Sequence, residues 1–228
     1  MRAATFGDTL KLVSHGAELH RAAATRHLHD IEAALVALPT DQAGVRIQDA
    51  KLLHGLLGVE GAVGALAAQA LGPSARPVRA VLFDKSPAVN WSLGWHQDRT
   101  ICVKARRDTP GFGPWSIKAG MQHVAPPFDL LTRMVTIRVH LDDVPMNNAP
   151  LLIALGSHLK GLVPVDRIDE IVRTCGIFAC EAEAGDVWLY STPILHASHA
   201  AHTPVRRRVL QIDYSPDELP GDLQWLGV

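Results

Sequence analysis

Two histidines, an aspartate and an arginine have the residue types and spacing to do chemistry together. In Gly94-Trp95-His96-Gln97-Asp98 an imidazole and a carboxylate stand two residues apart, after an extended-looking run. Side chains at i and i+2 of a strand leave the same face, so His96 and Asp98 can reach one metal ion. A third ligand must come from elsewhere, and Leu195-His196-Ala197-Ser198 offers His196. Two histidines and one carboxylate with open positions are the facial triad of non-haem Fe(II) oxygenases. Arg207 lies in the basic run 205–212, and a planar guanidinium suits a dicarboxylate co-substrate.

The spacing also offers competitors. His196, His199 and His202 recur every third residue. In an extended stretch His196 and Ser198 share a face while His199 points away. Arg206, Arg207 and Arg208 compete in the same manner. Alternation puts the outer two on one face, which reads as a solvated edge, and register is not visible in sequence. A turn at 201–204 predicts a hairpin that sets the strands of His196 and Arg207 side by side.

The elements that must position these groups follow from periodicity. Leu28, Ile31, Leu35 and Leu38 fall on one helical face that Pro39 ends. Helical stretches are also predicted over 46–57 and 59–70, and residues 71–77 form a breaker cluster. Strands are predicted over 78–83, 134–141, 151–155, 187–190, 193–198 and 206–214, with 101–103 continuing the strand of His96. Residues 106–120 read as a loop able to wall a pocket. Within and beyond that loop, Trp115, Lys118 and His123 are substrate-contact candidates. Arg138 and His140 join them, because they alternate with Ile137 and Val139 and make one strand face polar. Residues 165–173 read as a short helix and 215–228 as an irregular tail. Helices followed by many short strands predict a mainly antiparallel β domain with helices to one side. The expected organisation is one domain over 1–228, with helical support to 77, a β core over 78–214 and a tail.

Composition excludes other classes. A chain of 228 residues, 47% hydrophobic with formal net charge −1, lacks the positive excess of a nucleic-acid or anionic-membrane binder. Cys102, Cys175 and Cys180 form no CxxC pair, and an odd count reads as reduced thiols, hence a cytoplasmic setting. No run approaches a bilayer span of about 20 apolar residues. Of the twelve histidines, His15, His20, His27, His29 and His54 show no ligand pattern and read as surface or capping imidazoles.

The chain resembles the phytanoyl-CoA dioxygenase family of Fe(II)/2-oxoglutarate oxygenases. The matching pieces are Trp95-His96-Gln97-Asp98, Asn147-Asn148-Ala149-Pro150-Leu151, Leu155-Gly156-Ser157-His158, Ala184-Gly185-Asp186-Val187, and Leu195-His196-Ala197-Ser198 followed by Arg207. The resemblance implies a double-stranded β-helix, a cupin-like jelly-roll barrel whose mouth holds the metal. It implies His96, Asp98 and His196 as Fe(II) ligands, and Arg207 for the distal carboxylate of 2-oxoglutarate. Ser198 is implied as a hydrogen-bonding helper and Gln97 as a lining residue. It further implies O2 as co-substrate, and hydroxylation of a small molecule with release of succinate and CO2. Related halogenases lack the carboxylate ligand that the resemblance assigns to Asp98. Two positions depart from the family pattern: Ala149 stands where glycine is usual and Leu155 where proline is usual.

Two other readings compete. A metal-dependent hydrolase or isomerase on the same barrel would use a Zn²⁺-activated water, leaving Arg207 without a task. A non-catalytic metal- or acid-binding barrel would need neither Asp98 nor Arg207. The N-terminal helices are expected either to cap the barrel or to form a homodimer interface.

Overall fold

A computed structural model describes residues 5–39, 42, 44–48 and 51–228. Its strands run in chain order as β1 (Ala17–His20), β2 (Val45–Ile47), β3 (Arg76–Lys85), β4 (Leu93–His96) and β5 (Ile101–Val103). They continue as β6 (Trp115–Lys118), β7 (Met121–Val124), β8 (Val135–His140), β9 (Leu151–Ala154) and β10 (Ile177–Cys180). The last are β11 (Val187–Ser191), β12 (His196–Ser198) and β13 (Arg207–Ser215). A six-stranded sheet has the order β1-β11-β8-β13-β3-β2, and a four-stranded sheet the order β10-β9-β12-β4. Both are antiparallel, and together they make a jelly roll. A small third sheet, β5-β7-β6, closes one side with the C-terminal segment through Ile101, Val103, Val124, Leu223 and Trp225.

The large sheet is amphipathic in an unusual sense. On β3, Ala80 and Leu82 face outward, and on β8 and β13 so do Ile137, Val139, Leu210 and Ile212. The N-terminal helices, among them Leu28–Leu35 and Gly64–Leu71, cover that face with Ile31, Leu35, Leu57, Val63 and Ala67. This burial removes apolar area from water and anchors the helices. The alternate residues, Arg79, Phe83, Lys85, Arg138, Arg207 and Gln211, turn inward and line a cavity between the two sheets. Thus the polar face recognised in Arg138 and His140 is the barrel's inside.

Several expectations are corrected. β12 pairs with β4 and β9, while β13 pairs with β3 and β8. The segment between them is therefore a crossing from one sheet to the other, not a hairpin, and it sets Arg207 across the cavity from His196. The N-terminal third is not only helical: β1 and β2 form both edges of the large sheet. Residues 45–47 are strand where a helix was expected, because Val45 and Ile47 pack against β3 while Arg46 turns to the cavity. The expected 59–70 helix begins only at Gly64. The 106–120 loop contains β6, and 101–103 belongs to the third sheet instead of prolonging β4. Among the described residues no helix is long and apolar enough to cross a membrane.

Of the two departures at turns, the one at Ala149 falls on a left-handed backbone. Ala149 adopts a left-handed conformation, φ 52° and ψ 62°, where a Cβ costs about 1–2 kcal/mol and glycine is free. Ala149→Gly should therefore raise unfolding stability by up to about 1 kcal/mol in a denaturant titration, since strain relief exceeds the extra chain entropy. A loss of stability would show that this backbone is not strained.

Candidate metal centre

β4 and β12 lie antiparallel with His96 directly opposite His196. Their ring centroids are 4.3 Å apart. Nδ1 of His96 lies 2.8 Å from the Gly94 carbonyl oxygen, and Nδ1 of His196 lies 3.0 Å from that of Ile194. A carbonyl can only accept, so each Nδ1 carries the proton and each Nε2 presents a lone pair. Asp98 follows the end of β4, and one ligand atom from each of His96, Asp98 and His196 lies within 4.8 Å of the other two. Burial pushes the His196 imidazole below its ordinary range and keeps it neutral, against the opposing pull of Asp98.

The aspartate is supported from behind. Burial would raise the Asp98 carboxyl, but its electrostatic interactions with His196, the Arg79 guanidinium and His96 outweigh it and hold the group below the usual range. The Arg79 guanidinium stands 4.0 Å from Asp98 and 2.6 Å from Asp213. Asp213 in turn accepts from Thr136 at 3.0 Å. This chain of partners fixes the carboxylate side that remains for a metal.

Opposite the triad lies a cationic patch. Arg207 is 4% exposed and donates to the Ala149 carbonyl. Its neighbour across the β13–β3 ladder is Lys85, which donates to the Trp91 carbonyl at 2.7 Å and to Ser198 Oγ at 3.2 Å. Arg138 donates to Gln211 at 2.7 Å. These partners are neutral, so among the described residues three buried cations face the cavity with no carboxylate among their hydrogen-bond partners. Burial pushes Lys85 down to about 7, helped by Arg207 and Arg138. Burial and Arg138 push Arg207 down to about 9.

The cavity measures about 510 Å³ and is lined by all three triad residues together with Arg207, Ser198, Lys118 and Arg138. Gln97 also reaches its wall, but its amide is committed elsewhere: Nε2 donates to the carbonyls of Gly161 and Pro193, and Oε1 accepts from Val163 N–H. It pins loops and leaves no polar atom for a ligand. Three sequence candidates do not line the cavity. Trp115 packs with the cluster of the third sheet and under Arg106. His123 is fully buried, with Cys102 Sγ 2.9 Å and the Met121 carbonyl 3.0 Å away. His140 is buried behind the wall with neither ring nitrogen partnered. Alternation on β8 is right for Arg138 and His140, but of the two only Arg138 reaches the cavity. His199 is exposed, Arg206 pairs with Asp84, and Arg208 pairs with Asp142 and Glu32.

Sequence reasoning missed Lys85, Arg79 and Arg46. The signal was available as the alternation Arg79-Val81-Phe83-Lys85, every member of which lines the cavity. Matching pieces of the sequence also prove architectural. Ser157 Oγ accepts from Leu195 N–H at 2.8 Å and holds the approach to His196. Gly185 has φ 92°, and a Cβ there would lie 2.2 Å from Thr25 Oγ1. Asp186 then ties that turn to Ala22 N–H at 2.8 Å.

The family model of phytanoyl-CoA dioxygenase (PhyH) matches residues 16–209. No curated protein sequence matches the chain. Among solved structures, AviO1 from Streptomyces viridochromogenes Tue57 is similar with TM-score 0.65 and 19% identity, over 96% of this chain and 99% of that one. HygX from Streptomyces hygroscopicus, with nickel and 2-oxoglutarate bound, is similar with TM-score 0.59 and 15% identity, over 94% of this chain and 88% of that one. The epimerase SnoN, in complex with Fe3+, alpha ketoglutarate and nogalamycin RO, gives TM-score 0.60 and 16% identity, over 92% and 88%. These likenesses describe the fold.

Lys85 yields a stability test. Its ordinary value of 10.5 falls to about 7 in the folded chain. Between those values the unfolded chain holds the proton and the folded chain does not, so stability climbs with pH across that window. Below pH 7 the full desolvation cost is present. Lys85→Met should raise the melting temperature at pH 7 and flatten the climb toward pH 10. An unchanged pH slope in the variant would mean that Lys85 is not the desolvated group.

Proposed function

Because the chain belongs to the phytanoyl-CoA dioxygenase family, we propose that it is an Fe(II)- and 2-oxoglutarate-dependent dioxygenase that hydroxylates a small organic molecule. The observation that carries the reading is the pairing of a two-histidine, one-carboxylate donor set with buried, acid-free cations across one cavity. The donor set fits Fe(II): imidazole nitrogens and a carboxylate suit a borderline divalent ion and leave positions open. The backbone carbonyls at both Nδ1 atoms give the tautomer such an ion requires. HygX with nickel and 2-oxoglutarate bound, and SnoN in complex with Fe3+ and alpha ketoglutarate, have this fold, which supports the same cofactor pair here.

On this reading His96, Asp98 and His196 hold the metal. Arg207 binds the far carboxylate of 2-oxoglutarate, and Lys85 and Ser198 supply further donors beside it. Bound together, metal and co-substrate supply O2 activation coupled to decarboxylation of 2-oxoglutarate to succinate and CO2, with oxidation of the substrate. The chain's own contribution is position and exclusion of water. Arg207 needs no reorganisation, because the Ala149 carbonyl already fixes one arm of its guanidinium. Gln97 holds the Gly161–Val163 stretch and Pro193 against the metal strand, which closes that wall to solvent. Ser198 stands on β12 two residues beyond His196 and is 3.2 Å from Lys85, so metal and carboxylate ends are set by one short strand.

A hydrolytic metal centre is the weaker reading, since it gives Arg207, Lys85 and Arg138 no anion to meet. A stereochemical inversion, as in the epimerase SnoN, uses the same cofactors and differs in product mass. Supplied with Fe(II), O2 and 2-oxoglutarate, the protein should release succinate, and Asp98→Ala should bring release to background. With a substrate, the product should be one oxygen atom heavier. A product of unchanged mass would contradict hydroxylation, and full turnover by Asp98→Ala would contradict the ligand set.

A further inference from the structure

Among the described residues seven cationic side chains line the cavity, and the proposed cofactors account for only some of them. Arg79 is matched by Asp213 and Asp98. Arg207, Lys85 and Arg138 form the patch that faces the co-substrate. Arg99 donates to the Val163 carbonyl. Arg46 and Lys118 remain. Arg46 stands on the edge strand β2, beside the inward-facing Val81. Its Nε is shut off from water and has no hydrogen-bond partner. Lys118 is the last residue of β6, exposed at the rim, with its charge reaching Asp98 and His123. Among the described residues neither has a carboxylate within ion-pair distance.

Loading does not cancel this excess. Fe(II) carries two positive charges and 2-oxoglutarate two negative ones, so the pair adds nothing to the balance. A partly desolvated guanidinium without an anion is costly and is retained where a ligand completes it. A cavity of about 510 Å³ is of the size that takes drug-like ligands, larger than a five-carbon diacid alone.

The geometry points to a substrate that carries an oxyanion, a phosphate-type ester or a carboxylate, held by Arg46 and Lys118 at the end of the cavity away from Arg207. The inference rests on the Fe(II)/2-oxoglutarate reading, because it assigns to the substrate only the cations that the co-substrate leaves. The oxyanion serves as a handle, and the carbon to be oxidised is one that such a handle presents to the triad.

The test uses the whole protein, loaded without O2 with Fe(II) and saturating 2-oxoglutarate, whose uptake is measured first. Phenyl phosphate, benzoate and the uncharged benzyl alcohol are then titrated by calorimetry at fixed ionic strength. At least one of the two anions should bind ten or more times tighter than benzyl alcohol. That preference should fall at least tenfold in Arg46→Met and in Lys118→Met. Lys118 is exposed, so its variant folds whatever becomes of the Arg46 variant, and Lys118→Glu should weaken the anion further. If phenyl phosphate shows preference and benzoate does not, the handle is phosphate-type; the opposite pattern assigns a carboxylate. If 2-oxoglutarate binds but no anion is preferred, or Lys118→Met keeps the full preference, the inference is overturned while the cofactor reading stands. If 2-oxoglutarate does not bind, the cofactor reading fails and this inference falls with it.

Discussion

Buried positive charge without an acid partner is the constraint on which the rest of this structure depends. Cations taken out of water are expensive unless matched, yet among the described residues Arg207, Lys85 and Arg138 face one cavity with carbonyl, hydroxyl and amide partners only. Their cost must be met elsewhere in the fold. The outward face of the same sheet meets it, through the apolar layer from Ile31 and Leu57 to Ile212 and Tyr214. The large sheet is thus inverted relative to a simple sandwich, dry outside under helices and charged within. That inversion makes the barrel a receptor for an anion before any ligand arrives.

The proposed metal ligands depend on a different device, cross-strand register. His96 and His196 face each other because β4 and β12 pair antiparallel with those residues opposite. A slip of one residue would turn one of them away. Ser157 holds the approach to β12, and Gln97 braces the chain between His96 and Asp98 against two loops. The glutamine between the two ligands is therefore a fastening, and its amide is spent on backbone groups. Arg79 and Asp213 repeat the logic for Asp98, with the unmatched charge of one layer satisfied by the next.

Much of this was legible in the sequence because it was local. His96-Gln97-Asp98 and the alternation of Arg138 with Val139 are patterns a strand imposes on its own residues. The outward helix Leu28–Leu35 was legible by the same means. What was not legible depends on pairing between distant segments. Nothing in residues 196–207 distinguishes a hairpin from a crossing between sheets, although the two place Arg207 differently. Lys85 becomes meaningful only once β13 lies beside β3. Arg46 hid in a stretch whose composition suits a helix, and pairing with Val81 made it a strand. His123 had the residue type of a ligand, but the third sheet turned it inward to Cys102. The resemblance of Asn147-Asn148-Ala149 to the family's turn identified the segment, while the left-handed backbone at Ala149 explains why glycine is usual there.

The central claim is that one cavity holds Fe(II) on the triad and 2-oxoglutarate against Arg207. Its most direct test is an anaerobic titration of the Fe(II)-loaded protein with 2-oxoglutarate, followed in the visible spectrum. The account predicts that a metal-to-ligand charge-transfer band appears and saturates, and that Arg207→Ala needs far more 2-oxoglutarate to reach it. Binding of Fe(II) with no band at any concentration of 2-oxoglutarate would contradict the account.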